Sequence, residues 1–99
     1  SARRRMLFNG VVLASLVIDE AGRLRGIPKV SAPGLFDPED PETARIAGEF
    51  AAALAELSPA VRRDDAALEE AARAALRRAL GKRLGKRPLV DVHLLRLGA

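Results

Sequence analysis

A proline is followed at once by an apolar strand pattern, and this break constrains the fold more than any other feature. Leu76-Arg77-Arg78-Ala79-Leu80-Gly81-Lys82-Arg83-Leu84-Gly85-Lys86-Arg87-Pro88 leads directly into Leu89-Val90-Asp91-Val92-His93-Leu94-Leu95-Arg96-Leu97. A basic amphipathic helix is expected to stop at Gly85, and Pro88 bars its continuation. The strand that follows has no later strand in the chain to pair with. Its partner must come from the opposite end of the sequence, so the two ends are expected to share one small sheet.

That partner is the segment from Leu7 to Ile18. Val11, Val12, Val17 and Ile18 are β-branched, and the run is apolar on both alternating faces. Such a strand belongs at the centre of a sheet. Asp19-Glu20-Ala21-Gly22 reads as a hairpin turn, and Arg23 to Val30 reads as the return strand. Pro28 cannot donate to a ladder, which makes this strand an edge or breaks it.

Helices fill the middle. Asp40 caps the first, Pro41 fits its first position, and Glu42 suits the dipole. Its apolar face carries Ile46, Phe50, Leu54 and Leu57, and Ser58-Pro59 is expected to end it. Asp64 or Asp65 caps the second. Leu68, Ala72, Ala75, Leu76, Ala79, Leu80 and Leu84 form its apolar stripe. The order β-β-α-α-β predicts an α+β fold, a two-layer sandwich with a three-stranded sheet and two helices on one face. The 99 residues make one domain, 1–99, with no linker long enough to divide it.

Charge is segregated along this chain. Residues 1–35 carry six Lys/Arg and two acids, residues 36–72 three and ten, and residues 73–99 eight and one. The basic ends, brought together in one sheet, suit phosphate or an acidic partner. Arg77, Arg78, Lys82, Arg83, Lys86 and Arg87 are the candidates for contact with an RNA backbone. The competing reading is a solvated helix end matched to its dipole. No aromatic lies among these bases for stacking on single strands.

A second candidate is a sheet face with nothing to cover it. Two helices cover one side, yet the strands are apolar on both. Val12, Leu16, Leu89, Leu95 and Leu97 are the interface candidates, because exposed apolar sheet surface marks an association site. If the helices bury Leu95, the other face with Val92 and Leu94 replaces them. The competing reading is that loops or the basic tails cover the face. Catalytic signals are weak. Asp91 and His93 alternate on one strand, but no third ligand stands at a recognisable metal spacing, so no catalytic or metal residue is assigned. No cysteine is present, which fits a reducing compartment. The longest apolar run, Val11 to Ile18, is too short to span a bilayer. No membrane partner is expected.

Three blocks taken together resemble the C-terminal domain of ribonuclease J-type metallohydrolases, especially proteobacterial ones. They are Arg5-Met6-Leu7-Phe8-Asn9-Gly10-Val11-Val12 with its continuation to Leu24, Pro28-Lys29-Val30-Ser31-Ala32-Pro33-Gly34-Leu35, and Gly85-Lys86-Arg87-Pro88-Leu89-Val90-Asp91-Val92-His93. The resemblance implies a cytoplasmic parent with a metallo-β-lactamase domain, an inserted β-CASP domain and this small module at its C-terminus. Such a parent degrades and matures RNA with zinc, as an endonuclease and a 5′-to-3′ exonuclease. The histidine/aspartate motif that binds its zinc (His-x-His-x-Asp-His) belongs to the first of those domains and is absent here. No catalytic residue or cofactor is therefore carried over. What the resemblance implies for this chain is self-association, as a homodimer or by docking onto the parent's other domains, and support of the parent's activity.

Overall fold

The computed structural model describes residues 10–81 and 88–98. Three strands, β1 (Val11–Ile18), β2 (Lys29–Ser31) and β3 (Leu89–Arg96), form one sheet in the order β2-β1-β3. The helices are α1 (Pro41–Ala55), α2 (Pro59–Arg63) and α3 (Asp65–Leu80). β1 is central, and β3 pairs with it in parallel from Val11↔Leu89 to Ile18↔Arg96. The first and last strands pair as expected. The crossover through the helices returns the chain to the starting end of the sheet, which makes the pairing parallel. The stretch of the first strand expected over Leu7 to Asn9 lies outside the described residues.

The hairpin return is shorter than the pattern suggests. Leu24 makes only an isolated antiparallel bridge to Ile18, and regular pairing resumes at Lys29–Ser31 opposite Ser15–Leu13. Gly26 takes a positive φ and Pro28 supplies no N–H, so the ladder between them cannot form. The turn itself is fixed by Asp19, whose carboxylate accepts from the Ala21 and Arg23 amides at 3.0 and 2.9 Å.

Each helix start is written in the sequence. Asp40 accepts from the Glu42 amide at 2.9 Å and Pro41 takes the first position of α1. Asp64 accepts from the Ala67 amide at 3.1 Å and starts α3. Ser58-Pro59 does more than end α1. Ser58 caps the Val61 amide at 3.3 Å, and Pro59 opens the five-residue α2. The expected end of α3 at Gly85 is corrected. The helix stops at Leu80, because Gly81 turns to φ +67° and donates its amide to the Arg77 carbonyl.

One hydrophobic layer joins the helices to the sheet. Val12, Ala14, Leu16 and Ile18 of β1 and Val90 and Val92 of β3 pack against Ile46, Phe50 and Leu54 of α1 and Leu68, Ala72, Leu76 and Leu80 of α3. Leu35 and Phe36 close the layer from the loop before α1. Phe50 is fully buried, and removing such a ring from water stabilises the fold by roughly 1.5–3 kcal/mol. The described helices lie on one face of the sheet, and among the described residues no element covers the other.

Candidate interaction surface

The open face is built by strand alternation. Successive side chains point to opposite sides, so once Val12, Leu16, Val90 and Val92 face the helices, their neighbours in sequence face away. The outward set is Val11, Leu13, Ser15 and Val17 on β1, paired in register with Leu89, Asp91, His93 and Leu95 on β3. Lys29 and Ser31 continue it on β2, opposite Ser15 and Leu13.

The candidates from sequence divide between the two faces. Leu95 and Leu97 are 52 % and 44 % exposed on the open side, and Leu89 is half-buried there. Val12 and Leu16 are corrected. They are 0 % and 1 % exposed beneath the helices and form core, not interface. Their place is taken by Leu13, 41 % exposed at the centre of the sheet, which the sequence reading missed. A signal for it was present: Ser15 shares Leu13's alternation, and Asp91 and His93 share that of Leu89 and Leu95. Polar residues on one set of alternating positions mark the side that meets water.

The apolar side chains are interrupted by polar ones. Asp91 and His93 are both exposed on β3 with Leu95 beyond them. Asp91 turns its Oδ1 back to accept from the Val92 amide at 3.0 Å. Among the described residues no three His, Asp or Glu side chains are grouped to hold a metal ion. No helix among the described residues is long and apolar enough to cross a membrane.

The basic candidates stand at a different place. Arg77 and Arg78 are exposed in the last turn of α3. Neither pairs with an acid among the described residues, whereas Arg73 one turn earlier leans toward Glu69 and Glu70 at 3.9 and 3.6 Å. Lys82, Arg83, Lys86 and Arg87 lie outside the described residues. The far end of the sheet is held by Arg96, whose guanidinium reaches Asp65 and the carbonyls of Arg62 and Asp19.

The family model of the ribonuclease J C-terminal domain matches residues 1–97. The chain belongs to that family. The match spans almost the full length, so the sheet, its open face and the basic helix end all fall inside the ribonuclease J C-terminal domain. No curated protein matches the chain. The family ties the module to ribonuclease J proteins. The described surface presents a sheet face of mixed apolar and polar side chains, a β3 edge with no strand beyond it among the described residues, and a cationic helix end.

Proposed function

We infer that this chain is the non-catalytic C-terminal module of a larger cytoplasmic ribonuclease J-type protein, serving self-association and support of the parent's RNA processing and degradation. The observation that carries this reading is the open sheet face. Leu13, Leu95 and Leu97 stand exposed on a sheet whose other face holds the whole core. Large apolar side chains gathered on one uncovered surface favour a protein partner. The parent by resemblance is a zinc-dependent endo- and exoribonuclease, and its chemistry belongs to its other domains. Light scattering of this chain over a concentration series tests the reading. A concentration-dependent dimer that Leu95→Glu dissociates, with the circular dichroism spectrum unchanged, supports it. A monomer at every concentration removes self-association from the reading and leaves docking onto the parent's other domains to be assayed.

The second reading is an auxiliary RNA-backbone contact. It is favoured by Arg77 and Arg78, exposed and without an acidic partner among the described residues. With Lys82, Arg83, Lys86 and Arg87 they would neutralise phosphates without reading bases. Binding to a single-stranded RNA oligonucleotide would then fall steeply with salt as counterions are released. No binding at low salt ends this reading for the isolated chain.

A further inference from the structure

We propose that two copies of this chain associate through the outer edge of β3, antiparallel and centred on Val92. The inference rests on the self-association reading above and gives a geometry to its β3 part, Leu89 and Leu95, while Leu13 on the central strand stays outside the contact. The two three-stranded sheets would join edge to edge into one continuous sheet.

β3 is an edge strand eight residues long, with β1 as its only strand neighbour among the described residues. The Leu89 and Leu97 amides donate to Gly10 and Ile18 of the β1 side, at 3.1 and 2.8 Å. In a parallel ladder alternate residues turn both backbone groups to the same neighbour. Leu89, Asp91, His93, Leu95 and Leu97 therefore bond toward β1. Val90, Val92, Leu94 and Arg96 turn their N–H and C=O groups outward. Among the described residues no backbone group meets that outer edge, and the Val92 amide is satisfied by the carboxylate of its own neighbour, Asp91. A long edge with no strand beyond it among the described residues is a template for another strand.

The side chains select one register. With Val92 opposite Val92 of the second copy, the outward-turned groups of Val90 and Leu94 also meet as hydrogen-bonded pairs. On the open face Asp91 then stands opposite His93 of the second copy, and Leu89 opposite Leu95, each pair occurring twice by symmetry. These are the non-hydrogen-bonded positions, where opposite side chains approach most closely. Acid meets an imidazole N–H donor, and leucine meets leucine. A shift by two residues one way sets Asp91 against its own copy. A shift the other way sets His93 against its own copy and Asp91 against Leu95. Only the register centred on Val92 makes both pairs complementary. Pro88 falls opposite Arg96 and has no N–H to give, so the ladder ends there. In this arrangement Asp91 releases the Val92 amide to the partner strand and takes the imidazole instead.

The chain has no cysteine, which makes the register directly readable. In the Leu89→Cys, Leu95→Cys variant the two thiols are separated by about 20 Å along one strand and cannot bond within a chain. Across the proposed two-fold they face each other at disulfide distance. Mild oxidation at dimer concentrations should give an intermolecular disulfide between position 89 of one copy and position 95 of the other, identified by mass spectrometry of the digest. Single substitutions His93→Asp and Asp91→His put like groups opposite one another, and each should weaken the dimer about tenfold. The double swap D91H/H93D restores the pair and should recover most of the affinity. A dimer that forms no such disulfide and ignores both single substitutions overturns the edge pairing while leaving self-association in place. A strict monomer overturns both.

Discussion

Arg96, near the end of β3, donates its Nε to the Asp65 carboxylate at the start of α3 across 2.7 Å of space and 31 residues of sequence. Its Nη2 donates to the Arg62 carbonyl at 3.0 Å, and its Nη1 lies 3.5 Å from the Asp19 carbonyl. One guanidinium thus joins the last strand, the α2–α3 corner and the first hairpin. The Asp65 side of the pair is 64 % exposed, so its electrostatic share is small. The carbonyl bonds matter more. Arg96→Met should cost about 1–2 kcal/mol, because it leaves the carbonyls short of a donor. Asp65→Asn should cost well under about 1 kcal/mol. Urea unfolding of both variants checks the order; equal losses would mean the ion pair dominates.

Gly10 holds the start of β1 in a conformation that side chains disfavour. Its φ is +80°, and an added Cβ would lie 2.9 Å from Leu35 Cγ. Its carbonyl also accepts the first amide of β3 at 3.1 Å. Gly10→Ala should therefore destabilise the domain by about 2 kcal/mol, from backbone strain and crowding together. Gly34, at the same φ but with no atom near its Cβ position, is the control. Gly34→Ala should show the strain alone and a smaller loss of melting temperature.

The distribution of such features explains what the sequence could reveal. Local chemistry was legible: Asp40-Pro41 and Asp64 start α1 and α3, and the apolar faces of both helices lie in the core. The central position of β1 followed from its β-branched, two-faced pattern. Two local signals carry more than one meaning. Ser58-Pro59 is both a stop and a start, because a capping hydroxyl and a proline suit a helix's first turn. Gly81 and Gly85 both offer a left-handed stop, and the apolar Leu84 drew the expected helix onward past the first. The interface candidates split because the signal is thin. β1 is apolar on both sides apart from Ser15, and only that residue, with Asp91 and His93 across on β3, marks the side of Leu13 as the one turned away from the helices.

Acid should loosen the first hairpin. The Asp19 carboxyl is held below its ordinary value of 3.8, chiefly by the Arg23 amide, with the Ala21 amide and the Arg25 guanidinium adding to it. A lowered folded value means the ionised group stabilises the native state above the unfolded value. That contribution disappears as pH falls through the folded value, below about pH 4. Asp19→Asn should lower the melting temperature at neutral pH, and the gap to the parent chain should close on acidification. A gap that stays constant between neutral and strongly acidic pH would assign the loss to geometry instead.

Phe50 tests whether the helical layer and the open face are separable. Its ring is 0 % exposed among the β1 and α3 side chains, while Leu13 and Leu95 lie on the far side of the sheet. Phe50→Ala should cost about 3–5 kcal/mol, a large part of the stability of a domain this size. Leu13→Ser removes apolar area that already meets water, so it should change monomer stability by less than about 1 kcal/mol. The two substitutions should therefore differ sharply in one measurement. Phe50→Ala should shift the unfolding midpoint, whereas Leu13→Ser, on the central strand and away from the β3 edge, should leave it almost unchanged. If Leu13→Ser instead destabilises the isolated domain as strongly as Phe50→Ala, the sheet's second face is part of the core and not a surface for a partner.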